Sequence, residues 1–166
     1  MDKEDEPSAA ELTALAEEFL HNQNTLTLAT GLDADLWAAA VYYVHRDGRF
    51  YFFSDPQSRH IQQALESGGR AAAAIHAPSF DWREINGMQM SGEIQRVTAK
   101  LEAVKVLGAY LGKFPFTKDF FTPGLALDLA ALESRFRVRL YRFVPRLAYY
   151  LDNKIKFGFR EEVKLN

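Results

Sequence analysis

The chain of 166 residues contains no cysteine, and no apolar run approaches the roughly 18 residues that a membrane-spanning helix requires. The missing cysteines exclude disulfides, cysteine nucleophiles, cysteine-ligated zinc and iron–sulfur clusters. Together with the lack of an apolar leader at the N-terminus, they predict a cytoplasmic protein. An excess of one charge is also missing, because 20 basic residues face 22 acidic ones. We therefore expect neither nucleic acid nor a membrane among the partners.

Several catalytic signatures are absent as well. The chain has no Walker phosphate loop, no G-x-S-x-G elbow and no Rossmann glycine fingerprint, so nothing in it favours a hydrolase or a kinase. Its four histidines, at positions 21, 45, 60 and 76, lack the spacing of a metal site, and we predict no metal. Aromatic residues are plentiful, with 13 Phe, 7 Tyr and 2 Trp. The composition is that of one globular domain, assigned to residues 1–166.

The order of the predicted elements indicates a mainly β protein. Residues 1–7 are expected to be disordered, and the capping box Ser8-Ala9-Ala10-Glu11 predicts a helix over residues 8–21. Short turns such as Asp47-Gly48 join most of the strands, which makes them antiparallel. Strands are predicted over residues 25–30, 36–45, 50–54, 70–77, 85–97, 136–142, 147–152 and 156–160, and further helices over residues 58–67, 98–111 and 125–133. This pattern predicts a small closed barrel with helical decorations.

The strand that contains Trp37-Ala38-Ala39-Ala40-Val41-Tyr42 is apolar on both faces. A strand with one face in water would alternate polar and apolar residues, so each face here needs a cover. One face would fill the barrel, and the other would meet a second protomer or a ligand. The three alanines leave the backbone open to a flat heteroaromatic ring, although this strand alone favours the other explanation, a tight contact between helix and sheet.

A second group of residues lies where the strand ending at Phe53-Ser54 meets a helix that begins at Ser58. Free backbone N–H groups at a helix start, two hydroxyls, the guanidinium of Arg59 and the imidazole of His60 form a site suited to a phosphate monoester. The alternative is an ordinary serine cap followed by solvated charges.

A third candidate is Gln89. It shares one face of the strand over residues 85–97 with Ser91, whereas Met88 and Met90 share the other. A polar pair of this kind in a barrel mouth could contact the edge of a ligand, but a face turned to solvent has the same pattern.

Five segments together carry a family resemblance: Thr25–Thr30, Leu36–Ala39 with Tyr42, Phe50–Ser54 with Ser58-Arg59-His60, Ile85–Ile94, and the terminal Leu151–Asn153 with Phe157–Phe159. In order and spacing they resemble the FMN-binding split barrels related to pyridoxamine 5′-phosphate oxidase, nearest to a small, uncharacterised bacterial branch. The resemblance implies a six-stranded antiparallel split barrel that binds FMN as a homodimer. The cofactor-binding residues that it implies are Trp37, Ala38, Ala39, Ala40, Val41, Tyr42, Phe53, Ser54, Ser58, Arg59, His60 and Gln89.

Two functions remain open on these grounds. The first is an FMN-dependent oxidoreductase acting on a small organic substrate, for which the sequence nominates no general acid or base. The second is a non-catalytic dimeric barrel that stores, senses or handles flavin, haem or another planar ligand. His60 stands where the better-known oxidases of the family have lysine, so we expect a phosphate partner whose charge depends on pH.

Overall fold

The computed structural model describes residues 6–120 and 129–166, and eight strands and four α-helices lie within these ranges. In chain order they are α1 (Ala9–Asn22), β1 (Thr25–Leu32), β2 (Asp35–Tyr42), β3 (Val44–Arg46), β4 (Arg49–Ser54), α2 (Arg59–Glu66), β5 (Arg70–His76), β6 (Asn86–Arg96), α3 (Lys100–Lys113), α4 (Leu129–Phe136), β7 (Arg139–Asp152) and β8 (Arg160–Glu162), with 3₁₀ turns at Trp82–Glu84 and Pro115–Phe120.

All eight strands belong to one antiparallel sheet. Its order is β2-β1-β5-β6-β7-β4-β3, and β8 pairs with β7 beyond this path. The protein is mainly antiparallel β structure with helices, as the sequence predicts. The family resemblance implies six strands and the structure has eight, because Tyr43 divides the strand predicted over residues 36–45 into β2 and β3 and the short β8 adds to the sheet.

The inner face of the sheet carries the larger core. Buried side chains such as Leu28, Phe52 and Met88 meet there. The predicted capping box at Ser8 is present, and α1 contributes Leu12, Ala16, Phe19 and Leu20 to this core. Helix α2 adds Ile61 and Ala64. The first and second helices therefore fill the inside of the curled sheet.

The outer face is covered over only part of its area. Helix α3 packs there against β3, β4 and the first half of β7, burying Tyr51, Val106 and Leu140 in a second cluster. The outer face of β2, β1 and β5 instead carries five exposed alanines, which the strand registers place side by side. These residues, called the alanine face below, are Ala29, Ala38, Ala40, Ala72 and Ala74.

Three glycines allow the backbone of the sheet to turn or to approach a neighbouring strand closely. The β3–β4 hairpin turns at Asp47 and Gly48 with φ values of 50° and 67°, the positive values that this tight turn demands. At Gly92 the pairing of β6 with β7 shifts register, and a Cβ atom would collide there with the carbonyl oxygen of Val144. A β-bulge is therefore present at Gly92. Gly87 instead permits the backbone of Ile75 to approach closely, and no register shift occurs there.

Several boundaries differ from the sequence predictions, and the strand predicted over residues 156–160 is wrong up to Phe159, because β8 begins only at Arg160. The strand predicted over residues 136–142 begins only at Arg139, because Phe136 ends α4 and Arg137 turns the chain with φ 53°. The strand predicted over residues 147–152 is the second half of the same 14-residue β7. The helix predicted over residues 125–133 is described only from Leu129 onward, and the predicted disorder over residues 1–7 falls mostly on residues 1–5, outside the described ranges. Among the described residues no helix has the length and apolarity needed to cross a membrane.

Candidate ligand-binding site

The carboxyl end of β4 and the start of α2 form a buried polar cluster of Ser54, Ser58 and His60. The Ser54 hydroxyl lies 2.8 Å from His60 Nε2 and 3.1 Å from the Ser58 hydroxyl, which donates to the carbonyl of Asp55 at 2.7 Å. The donor order that uses both contacts of Ser54 runs from His60 to Ser54, then to Ser58 and on to Asp55. A proline turn makes this possible, because it brings the helix start back beside the strand end.

The first turn of α2 has no side-chain cap, although the N–H groups of Ile61 and Gln62 donate to the carbonyl of Ser58. Ser58 is the N-cap, yet its side chain accepts no bond from the helix, in contrast to the capping box of Ser8 on α1. The N–H groups of a helix start attract anions when no side chain caps them. Together with the two hydroxyls, this end of α2 offers the donors that a phosphate group needs.

His60 is buried, with 7% of its surface exposed. Burial lowers the pKa of its imidazole below the ordinary value, so the ring is neutral at pH 7. The sequence predicts that His60 is a phosphate partner whose charge depends on pH. Such a partner would need a pKa near or above 7. Without a bound anion, His60 therefore acts as a neutral hydrogen-bonding group.

Arg59 turns away from this cluster toward β2. Its guanidinium forms an ion pair with Asp35, at the start of that strand, and lies over the ring of Trp37 at 4.5 Å from the ring centroid. Gln63 of α2 donates to the backbone and side-chain oxygens of Asp35 at 3.0 and 2.9 Å. The arginine is thus directed at β2, where a carboxylate already pairs with it.

An apolar cavity of about 240 Å³ adjoins the other side of β4. Phe53, the residue before Ser54, forms part of its wall, and Tyr42 of β2 and Phe116 lie half-exposed at its lining. The remaining lining residues are Leu107, Tyr110, Thr117, Leu132, Phe136 and Val138. The hydroxyls of Tyr110 and Thr117 donate to backbone carbonyls of Tyr42 and Phe114, so the cavity offers aromatic and aliphatic surface rather than free polar groups.

Strand β2 is an edge strand, and its side chains divide between the two faces of the sheet. Val41 packs against the inner core, and Ala39 on the same face is half-buried. Ala38 and Ala40 belong to the exposed alanine face. The predicted filled face is thus only partly buried. The second face is not covered by any of the residues that the structure describes.

The predicted site residues fall into three places. Ser54, Ser58 and His60 are in direct contact, and Tyr42 and Phe53 share the apolar cavity. Gln89 is exposed on the outer face, paired in register with Ala74, so it borders the alanine face and not the polar cluster. The sequence reasoning missed Asp35, which pairs with Arg59 from 24 positions away, and Gln63, which donates to Asp35 from 28 positions away. Contacts over such separations leave no local signal.

The four histidines are distributed separately through the structure. His45 is paired through Nδ1 with Glu17 at 3.1 Å, and burial lowers its pKa despite that carboxylate. His21 and His76 are exposed, and His60 belongs to the polar cluster. Within residues 6–120 and 129–166, no group of three or more acidic or histidine side chains could hold a metal ion.

Comparisons with known proteins agree with this architecture. No family model matches the chain. A UPF0306 protein of Klebsiella pneumoniae is 29% identical over 107 residues, which are 63% of this chain and 71% of that protein. Among solved structures, the haem storage protein HutZ of Vibrio cholerae superposes with a TM-score of 0.63 at 16% identity, covering 81% of this chain and 90% of HutZ.

A FAD-binding protein of Mesorhizobium loti superposes with a TM-score of 0.60 at 17% identity, covering 86% of this chain and 92% of that protein. Identities this low establish a shared fold and nothing finer. The chain is therefore similar in sequence to UPF0306 proteins, and its curled antiparallel sheet is a split barrel, as the resemblance of its motifs predicts.

Proposed function

We propose that this protein binds FMN and serves as a flavin-dependent oxidoreductase for a small organic substrate. The proposal rests on two neighbouring residues at the end of β4. Phe53 lines the apolar aromatic cavity, and Ser54 belongs to the cluster of hydrogen-bond donors suited to a phosphate. Their side chains point to opposite faces of β4, so a ligand with a flat ring system and a phosphate tail would occupy both surroundings by passing around the carboxyl end of the strand.

The phosphate would be held by the open first turn of α2. Ser54 and Ser58 can turn their hydroxyls toward it, and Arg59 is near enough in sequence to supply a charge-assisted hydrogen bond. His60 then donates as a neutral group, or gains a proton if the dianion raises its pKa. Donors of these kinds fit a phosphate monoester better than an uncharged ligand.

The ring system would use the apolar cavity and the open edge strand. Complete ligand pockets commonly span about 300–1,000 Å³. The cavity of about 240 Å³ is smaller, so it would hold only part of a flavin. The rest would lie along the backbone of Trp37–Tyr42, where alanine side chains leave room. A bound flavin would supply the hydride and electron chemistry, and this chain would orient it and exclude water.

A second copy of the chain would complete such a site. The alanine face and the exposed Leu36 on β2, with 77% of its surface accessible, present apolar surface that a soluble monomer rarely leaves open. Small side chains allow two sheets to approach closely without a loss of packing. We therefore propose a homodimer in which this face is buried.

A second candidate function is a non-catalytic barrel that handles haem or another planar ligand. It is supported by the shared fold with HutZ, which is a haem storage protein. Haem would need an axial ligand with an accessible lone pair. His45 is paired with Glu17 through Nδ1, whereas its buried Nε2 has no hydrogen-bond partner, and His60 is bonded through Nε2 to Ser54. Haem would thus have to reach the buried Nε2 of His45, recruit the exposed His21 or His76, or displace the bond of His60.

The visible spectrum of the freshly purified protein separates these candidates, since flavin bands support the first and a Soret band supports the second. Fluorescence titration then compares FMN with riboflavin, which lacks the phosphate. We expect Arg59→Ala to weaken FMN about tenfold or more, the size of a charged hydrogen bond, and to leave riboflavin nearly unchanged. The matched control is Arg83→Ala, an exposed arginine beside Trp82. Equal losses for both flavins would contradict a phosphate contact at Arg59.

A further inference from the structure

The contact between Arg59 and Asp35 places a carboxylate where a ligand phosphate is expected. The guanidinium pairs with the Asp35 carboxylate and rests on the ring of Trp37, 4.5 Å from its centroid. Asp35 lies at the first position of the edge strand β2, and Arg59 is the first residue of α2. The pair therefore joins the start of β2 to the start of α2, the helix that carries His60 of the polar cluster.

A buried amide helps to hold the carboxylate in this position. Gln63 is 5% exposed, and its Nε2 donates to the Asp35 carboxylate at 2.9 Å and to the Asp35 carbonyl at 3.0 Å. The Oε1 of the same amide accepts from the buried Thr30 hydroxyl at 2.8 Å, which fixes its orientation. The position of Asp35 beside Arg59 is thus supported from within the fold.

Carboxylate and phosphate compete for a guanidinium because both accept the same pair of parallel N–H donors. A phosphate that reached Arg59 while Asp35 stayed in place would also bring two anionic groups together, which is unfavourable. The side chains of Arg59 and Asp35 are 46% and 58% exposed, so the pair is screened by solvent. A phosphate can therefore displace the carboxylate at a modest cost.

We propose that Asp35 competes with the ligand phosphate for Arg59 and so sets how strongly the site prefers a phosphorylated ligand over its dephosphorylated form. This inference rests on the proposed function, because it concerns the same site. Asp35 does not contact the ring of the ligand in this scheme. It acts through Arg59, as a specificity-determining residue.

The test compares Asp35→Asn with Asp33→Asn. Asp33 is an exposed residue of the same β1–β2 turn, with φ 52°, a conformation that asparagine also adopts readily. Both variants remove one negative charge, but only the first removes the partner of Arg59. FMN and riboflavin are titrated by flavin fluorescence, and inorganic phosphate is titrated by the NMR shifts of the backbone amides of residues 58–61.

We expect Asp35→Asn to bind FMN about two- to fivefold more tightly than wild type, the range in which an exposed ion pair contributes. Riboflavin affinity should not change, and Asp33→Asn should bind both flavins as wild type does. Asp35→Glu keeps the carboxylate and should retain wild-type affinities. A gain of equal size in Asp33→Asn, or an unchanged FMN affinity in Asp35→Asn, would overturn the inference.

The phosphate titration separates this inference from the proposed function. If wild type binds neither flavin, the proposed FMN function is wrong. The competition at Arg59 would still be supported if inorganic phosphate shifts the α2 amides at lower concentration in Asp35→Asn than in wild type and Asp33→Asn. It would be overturned if phosphate affects all three proteins alike.

Discussion

The two halves of the outer sheet face differ in what they carry and in what covers them. Under α3, the strands β3, β4 and the start of β7 present large side chains such as Tyr51 and Leu140, which are 1% and 0% exposed. The alanine face, on β2, β1 and β5, presents methyl groups to solvent. The large residues pack against a helix of the same chain, whereas the small residues leave room for a second sheet. The covered half therefore stabilises the monomer, and the alanine face is the surface proposed above to be buried in a homodimer.

The largest expected effect tests the covered half. Leu140→Ala removes a fully buried side chain beneath α3, so it should lower the free energy of unfolding by about 2–5 kcal/mol through lost burial and a new cavity. The control is Leu101→Ala on the exposed side of α3, where 71% of the leucine surface is accessible. Urea unfolding of both variants measures the difference. If Leu140→Ala lowers the free energy of unfolding no more than Leu101→Ala does, the packing of α3 on β7 does not stabilise the fold.

The next prediction concerns the alanine face. Ala72→Arg places a charge at its centre and should convert the proposed dimer into a monomer, because an unpaired charge is costly to bury in an interface. Light scattering should give twice the chain mass for wild type and the single-chain mass for the variant. Val104→Arg adds the same charge to the covered half, at a residue that is 55% exposed, and should stay dimeric. A wild-type mass of one chain at micromolar concentration contradicts the dimer.

The smallest expected effect concerns the end of the covering helix. Lys113 closes α3, donates to the carbonyl of Gln23 at 2.5 Å and lies over Tyr43, and burial lowers its pKa to about 8. Between that value and the unfolded value near 10.4 the unfolded chain binds more protons, so stability should rise with pH. Lys113→Met removes this contribution.

Urea midpoints of wild type and Lys113→Met at pH 7 and pH 9.5 measure it. The variant should gain most relative to wild type at pH 7, where the ammonium is charged in both states and its desolvation opposes folding. The difference between the two proteins should shrink at pH 9.5. If it is the same at both pH values, the ammonium of Lys113 is solvated in the folded protein.

Local features of the fold could be predicted because their causes lie within a few residues. The turn at Asp47-Gly48 needs positive φ, and the capping box needs only Ser8 and Glu11. The course of β7 could not be predicted in the same way. Pro145 and Arg146 break its alternating pattern, yet the strand continues because the bulge opposite Gly92 accommodates a proline.

In the candidate site, too, the part formed by neighbouring residues could be predicted and the part formed by distant elements could not. Ser54, Ser58 and His60 lie within seven residues, so a strand that ends at a proline turn before a helix was enough to bring them together. The apolar cavity was not predictable from Tyr42 and Phe53, because its other walls come from α3, α4 and the turn after α3.

The sequence by itself determined the antiparallel class, the hairpin, the helix start at Ser8 and the group of donors at the beginning of α2, since each depends on neighbours in the chain. Only the tertiary structure decided that α3 covers one half of the outer face and leaves the alanine face exposed. It also decided that Arg59 meets Asp35, 24 positions away. The physical reason is that such contacts depend on how the sheet curls and where the helices pack, which no local pattern of residues specifies.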